Sequence, residues 1–278
     1  MQFDRRVARF ALGAAALVLA ATAPAQNANF VPQRASAYSE VTKWPDFSGV
    51  WSPDWSQLFG PGGRAGPTKL TPEAQAKLDA YNAAKKQGEH QQTAAANCLP
   101  NGMPQIMRQP YPIEFLYSPG RVTIFIESYS QVRRIYLNAQ FPKDPENLFN
   151  GNSIGHWEGD TLVVDTIGFT PESVISDGVP HNDKMRIQER IHKVSPTRLV
   201  IDTTITDPGV LAAPYTYSQA FDKKPGWQIR EYVCEENDRD SADAEGRAHL
   251  DLGLDQNNSD DPFGPPAGDD KSQAPKGK

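Results

Sequence analysis

Apolar and polar residues alternate with a period of two through most of the second half of the chain. The runs 121–127, 131–137, 161–167, 185–194, 199–207, 215–221 and 227–234 are short, rich in β-branched and aromatic residues, and separated by turn formers. Such runs read as half-buried strands with one face in a core. An earlier aromatic run from Asp46 to Trp51 adds a strand, and Trp157-Glu158-Gly159-Asp160-Thr161-Leu162 reads as a hairpin turning at Gly159. Many short strands with few helices between them predict a mostly β domain, an antiparallel barrel or a β-sandwich. One segment reads as a helix: Thr71 suits a cap, Pro72 suits the first turn, and 72–86 is rich in Ala, Lys and Gln. Its clear apolar anchors are Leu78 and Tyr81, which predicts a helix on the outside of the domain.

The two ends of the chain follow other patterns. Arg5, Arg6 and Arg9 precede the apolar stretch Phe10 to Ala21 and the small residues before Ala25, the signature of a signal peptide over 1–25. Roughly 12 apolar residues fall short of the ~20 that cross a bilayer, and no later segment is apolar enough, so a chain without a membrane span is predicted, periplasmic or secreted. Loss of residues 1–25 moves the formal charge from −6 to −8. Without clustered Lys and Arg, such a surface argues against nucleic acid as a partner. Residues 26–45 show little periodicity, and 46–238 read as one domain. The acidic tail 239–278 is expected to be largely disordered, from about Asn257 onward.

The two cysteines, Cys98 and Cys234, both fall in the exported part. An oxidising compartment makes a disulfide the default, with free thiols or a reactive nucleophile as alternatives. Such a bridge ties an early loop to the expected last strand and contributes perhaps ~4 kcal/mol in the chain-entropy model.

Two resemblances bear on the fold. Gly49-Val50-Trp51 resembles the Gly-x-Trp opening of lipocalin-like barrels, in which the tryptophan closes the barrel floor. The stretch from Gly151 to Phe169, with its core Ser153-Ile154-Gly155-His156-Trp157-Glu158-Gly159-Asp160-Thr161-Leu162-Val163-Val164-Asp165-Thr166, is similar to the central motif of a large group of exported bacterial proteins of mostly unassigned function. Pro110 to Val122, Gly178 to Arg190 and Glu231 to Asn237 resemble the same group, so that the likeness covers about residues 46–238. It implies a lipocalin-like antiparallel barrel with one peripheral helix. A shared fold does not define an activity, so function has to be argued from the site.

Strand alternation places Glu189 on the apolar face of its run, with Met185, Ile187 and Ile191. A carboxylate there must be paired or have a raised pKa, and both conditions are common at acid-base sites. Of the adjacent Arg133 and Arg134, one must face inward, available to pair Glu189 or to hold an oxyanion. His181 follows Gly178-Val179-Pro180 and is a candidate proton carrier; His156 is a weaker one. Tyr111, Tyr217, Tyr232 and Trp157 offer rings with polar tips suited to a hydrophobic or aromatic small molecule, with Arg134 as a further substrate-binding candidate. No metal-ligand spacing, nucleotide loop or nucleophile elbow is present in the sequence, so neither a metal nor a cofactor is expected.

The leading expectation is a cofactor-independent lyase, dehydratase or isomerase using His181, Glu189 and Arg133. A periplasmic binding or carrier protein and an envelope structural protein are the alternatives. Catalysis requires Glu189 and His181 to approach one another across an open cavity. A Glu189 held in a filled core by arginine removes the main support for that chemistry.

Overall fold

The computed structural model describes residues 36–59, 69–88, 93–94, 97–234, 240–242 and 248–250. The expected signal peptide and most of the tail lie outside the described residues.

Nine strands close into a barrel: β1 (Gly49–Pro53), β2 (Ile113–Ser118), β3 (Arg121–Ile126), β4 (Gln131–Leu137), β5 (Asn152–Glu158), β6 (Thr161–Ile167), β9 (Arg186–Ser195), β10 (Arg198–Thr206) and β11 (Tyr215–Lys223). The order around the barrel is β1-β11-β10-β9-β6-β5-β4-β3-β2. Closure rules out the sandwich and leaves no free edge. That explains one difference from the sequence pattern. Residues 227–234 look like a strand, but both edges of β11 are taken by β10 and β1, so the chain leaves the sheet and runs on irregularly.

A second difference is the pairing of β4 with β5, which is parallel and joins only 135–137 to 153–155. After β4 the chain turns at Asn138, in the left-handed region, and returns outside the barrel over 138–151 before entering β5 in the same direction. Gly155 makes the pairing possible. A Cβ there would lie 2.8 Å from Ile135 Cγ2, so any side chain would force the two strands apart.

Alternate residues fill the barrel. Ile187, Glu189 and Ile191 point inward from β9, opposite Ile205, Thr203 and Ile201 of β10 and Thr166, Val164 and Leu162 of β6. One end is closed by Phe47 and Trp51, both fully buried, with the Trp51 indole N–H donating to the Phe47 carbonyl at 2.8 Å. Trp157 meets the Phe47 ring at 5.4 Å, and the Tyr117 hydroxyl bridges the Phe47 N–H and the Pro45 carbonyl. The other end is covered by Met103, Ile106 and Met107 and by Ile175, Met185 and Leu211.

The helix α3 (Pro72–Lys86) has the predicted bounds, and Thr71 Oγ1 accepts the Ala74 N–H at 3.3 Å. Two shorter helices, α1 (Tyr38–Val41) and α2 (Trp55–Phe59), precede it. Leu78 and Tyr81 of α3 sit on Gly178, in the turn between β7 (Val174–Ser176) and β8 (Val179–Pro180). A Cβ on Gly178 would come within 2.5 Å of the Tyr81 ring, and its φ of +74° also favours glycine. Cys98 and Cys234 form a disulfide with a Cα–Cα distance of 5.7 Å. It therefore fastens an irregular segment, rather than a last strand, to the early loop. In the tail, β12 (Asp240–Ala242) pairs with β13 (Ala248–Leu250), and the segment expected to be disordered, from about Asn257 onward, lies outside the described residues. No helix among the described residues is long and apolar enough to cross a membrane.

Candidate functional site

The middle of the barrel carries a polar network among apolar side chains, built on the inward Glu189 and on the one of the two adjacent arginines that strand alternation sends inside. Arg133 enters from β4 and Glu189 from β9, each 1% exposed. The two guanidinium Nη atoms reach the two carboxylate oxygens, Nη1 to Oε1 at 3.0 Å and Nη2 to Oε2 in a closer contact. Arg133 Nη2 also donates to Thr166 Oγ1 at 2.9 Å, and Nε donates to Ser153 Oγ at 3.3 Å. Ser153 and Thr166 bond to each other at 2.9 Å. A bidentate pair with further donors met by neighbouring hydroxyls is the arrangement in which burial of two charges is tolerable.

Glu189 is therefore committed to Arg133. His181 is committed elsewhere. Its Nδ1 lies 2.8 Å from the Asn182 carbonyl, and its Nε2 lies 2.9 Å from the Thr170 carbonyl and 3.3 Å from Ser173 Oγ. The ring thus sits between the loops beside β7 and β8, with its N–H able to reach either carbonyl according to tautomer, and no hydrogen bond or ion pair joins His181 to Glu189 among the described residues. The convergence that the acid-base reading required is not found, because the two side chains serve different parts of the architecture. His156 is on the outer face with Glu158 at 3.1 Å.

The binding candidates divide between the inside and the outside. Tyr217 faces inward from β11, opposite Thr203, which hydrogen-bonds its hydroxyl. Burial, chiefly, holds the phenol well above its usual range. The Glu189 carboxylate adds to the effect, while the Arg108 guanidinium, 5.0 Å over the ring, opposes it. Tyr217 keeps partly exposed surface although Tyr215, nearer the end of the strand, is only 7% exposed. On the same face, Gln219 is 6% exposed and its amide nitrogen has no hydrogen-bond partner. Trp157, also interior, has a buried indole N–H without a partner.

Tyr111 and Tyr232 lie away from this interior. Tyr232 packs at 5.5 Å from the Tyr111 ring and 4.8 Å from the Tyr129 ring, so these rings hold the 230–234 segment beside the disulfide. Burial, with the neighbouring Tyr129, pushes the Tyr232 phenol up to about 12. Arg134 points outward from β4 and makes no ion pair among the described residues. Ser153, Thr166, Thr203, Gln219 and Arg108 were not singled out by the sequence. For the first four, strand alternation was the available signal. Arg108 arrives from a short 3-10 turn, Gln105–Arg108, and no local pattern announces its target.

Cavities are found outside the barrel interior. One of 490 Å3 lies between α3 and the β7–β8 hairpin, bordered by Tyr81, Gln105, Glu172 and Asp177. One of 220 Å3 adjoins His181 and Asn182, and one of 340 Å3 opens where β4 and β5 part. Among the described residues, no group of three or more His, Cys, Asp or Glu side chains is placed to hold a metal ion.

No protein-family model matches the sequence, and no curated protein matches it. Among solved structures, the crystal structure of the wild-type fluorescent protein UnaG matches with 14% sequence identity over 66% of this chain and 99% of that chain, at a TM-score of 0.29.

Proposed function

We propose that this protein is an exported carrier that holds a hydrophobic or aromatic small molecule inside its barrel, beside Tyr217 and Gln219. The observation that carries the reading is the inner face of β11, where a partly exposed tyrosine ring adjoins a buried amide nitrogen without a partner. An unmet buried donor costs about 1–3 kcal/mol, and native interiors keep few of them. A ligand with a carbonyl or hydroxyl oxygen on an apolar body would meet that donor while covering the ring. The Arg133–Glu189 pair then fixes the barrel wall and takes no part in proton transfer.

Native mass spectrometry against a panel of phenolic dimers, steroids and terpenoids tests this reading. Retention of a panel member by the wild type and its loss in Gln219→Leu is the expected outcome, with Gln219→Leu at least as stable as the wild type, because it removes an unmet polar group at similar volume. Equal retention by Gln219→Leu and by Tyr217→Phe would contradict the assignment.

A further inference from the structure

The cavity between β4 and β5 follows from the parallel pairing described above. The two strands are bonded only at 135–137 and 153–155, so their other ends part, and the returning segment 148–151 roofs the gap. That roof is firmly held. The Leu148 N–H donates to the Gly168 carbonyl at 3.1 Å, and the Phe149 carbonyl accepts the Met103 N–H at 2.8 Å. Val132, Leu148 and Phe149 give the cavity apolar walls, and Ser153, already bonded to Arg133, forms its inner limit.

Two polar groups in this cavity lack partners. Arg134 lines it with a guanidinium that makes no hydrogen bond or ion pair among the described residues. Asn150 supplies the other, and a chain of hydrogen bonds fixes which amide atom it is. Gln131 Nε2 donates to the Tyr129 carbonyl, so Gln131 Oε1 is an acceptor, and the atom of Asn150 that reaches it at 3.1 Å must be the nitrogen. Asn150 Oδ1 is left as a buried acceptor with no donor. The cavity thus sets a free planar cation and apolar walls in 340 Å3 beside an unmet acceptor buried just behind its wall, a volume near the lower end of the roughly 300–1,000 Å3 that small-molecule sites occupy.

From this arrangement we infer that the cleft between β4 and β5 is a second ligand site, specific for a small monocyclic carboxylic acid that also carries a hydroxyl or amino hydrogen. The carboxylate takes the Arg134 guanidinium through two parallel N–H donors. The ring packs on Val132, Leu148 and Phe149, and the donor meets Asn150 Oδ1 after a small shift of its side chain. Arg134 is exposed, and a charge pair at a surface is weak by itself, so the apolar walls and the second polar contact are needed for affinity. The site lies on the outer wall and is independent of what the barrel interior holds.

Titration of isotopically labelled protein with 4-hydroxybenzoate, followed by backbone amide shifts, tests the inference. Saturable shifts confined to 131–136 and 148–153 are expected at millimolar ligand, weakened about tenfold in Arg134→Gln and unchanged in Arg190→Gln, which alters an arginine bonded to Glu158 instead. Benzyl alcohol, without the carboxylate, should not saturate the same amides, and 4-methoxybenzoate, without the donor, should bind several-fold more weakly. The absence of saturable shifts, shifts centred elsewhere, or equal affinity in Arg134→Gln would overturn the site. Equal affinity for 4-methoxybenzoate would overturn the role of Asn150.

Discussion

Arg133 and Arg134 are neighbours in β4 and share the same chemistry, yet the strand pleat sends one into the barrel and the other out of it. Inside, Arg133 spends its donors on Glu189, Thr166 and Ser153. Outside, Arg134 borders a cavity with its donors unused. A buried guanidinium with each of its three nitrogens bonded is part of the framework, whereas an exposed one with no partner is available to a ligand. Arg198 stands between these extremes, 35% exposed and bonded to Asp54 at 2.6 Å and Asp222 at 2.9 Å.

The largest effect should come from breaking the inner pair. Arg133→Met leaves the Glu189 carboxylate buried without a counterion, which should cost about 3–5 kcal/mol in urea unfolding. Arg133→Met combined with Glu189→Leu should recover most of that loss, because an apolar replacement of the whole pair leaves no charge stranded. If the double variant is no more stable than the single one, the pair is not a closed structural unit.

The intermediate arginine should show a smaller effect that depends on pH. The Ser56 hydroxyl first, and then Arg198, holds the Asp54 carboxyl down to about 2 from its usual 3.8. A depressed carboxyl stabilises the folded state above its unfolded pKa and loses that contribution as pH falls. Asp54→Asn should therefore cost a few tenths to about 1 kcal/mol at pH 6. The difference from wild type should shrink between about pH 4 and pH 2 and vanish below that window. The smallest effect belongs to Arg134→Gln, within about 0.5 kcal/mol of wild type in the same unfolding assay. A large loss there would mean that the outer arginine is structural too.

Much of the barrel was legible in the sequence because the period-two pattern is strong where one face is buried. The runs at 131–137 and 161–167 match β4 and β6 in both bounds, and the helix at 72–86 carries its own cap signals. Other features depended on distant parts of the chain. Trp227 to Cys234 has the composition of a strand, but closure of β1 onto β11 left it no edge. The parallel β4–β5 pair comes from the path of 138–151, which no local signal encodes. The site was legible in part for the same reasons. The inward position of Glu189 and an arginine of the 133–134 pair as its partner follow from alternation, whereas the choice of Arg133 and the contacts with Ser153 and Thr166 depend on how strands up to 56 residues apart meet. The separation of His181 from Glu189 was hidden too, since alternation within a strand says nothing about where the preceding loop docks.

The most direct test of a structural Glu189 is mass spectrometry of wild type and Glu189→Gln after incubation with the same phenolic, steroid and terpenoid panel. A bound panel member of unchanged mass in both proteins is the predicted result. Conversion of a panel member to a product of different mass or retention time by the wild type, lost in Glu189→Gln while that variant remains folded, would contradict it and make the buried carboxylate a catalytic group.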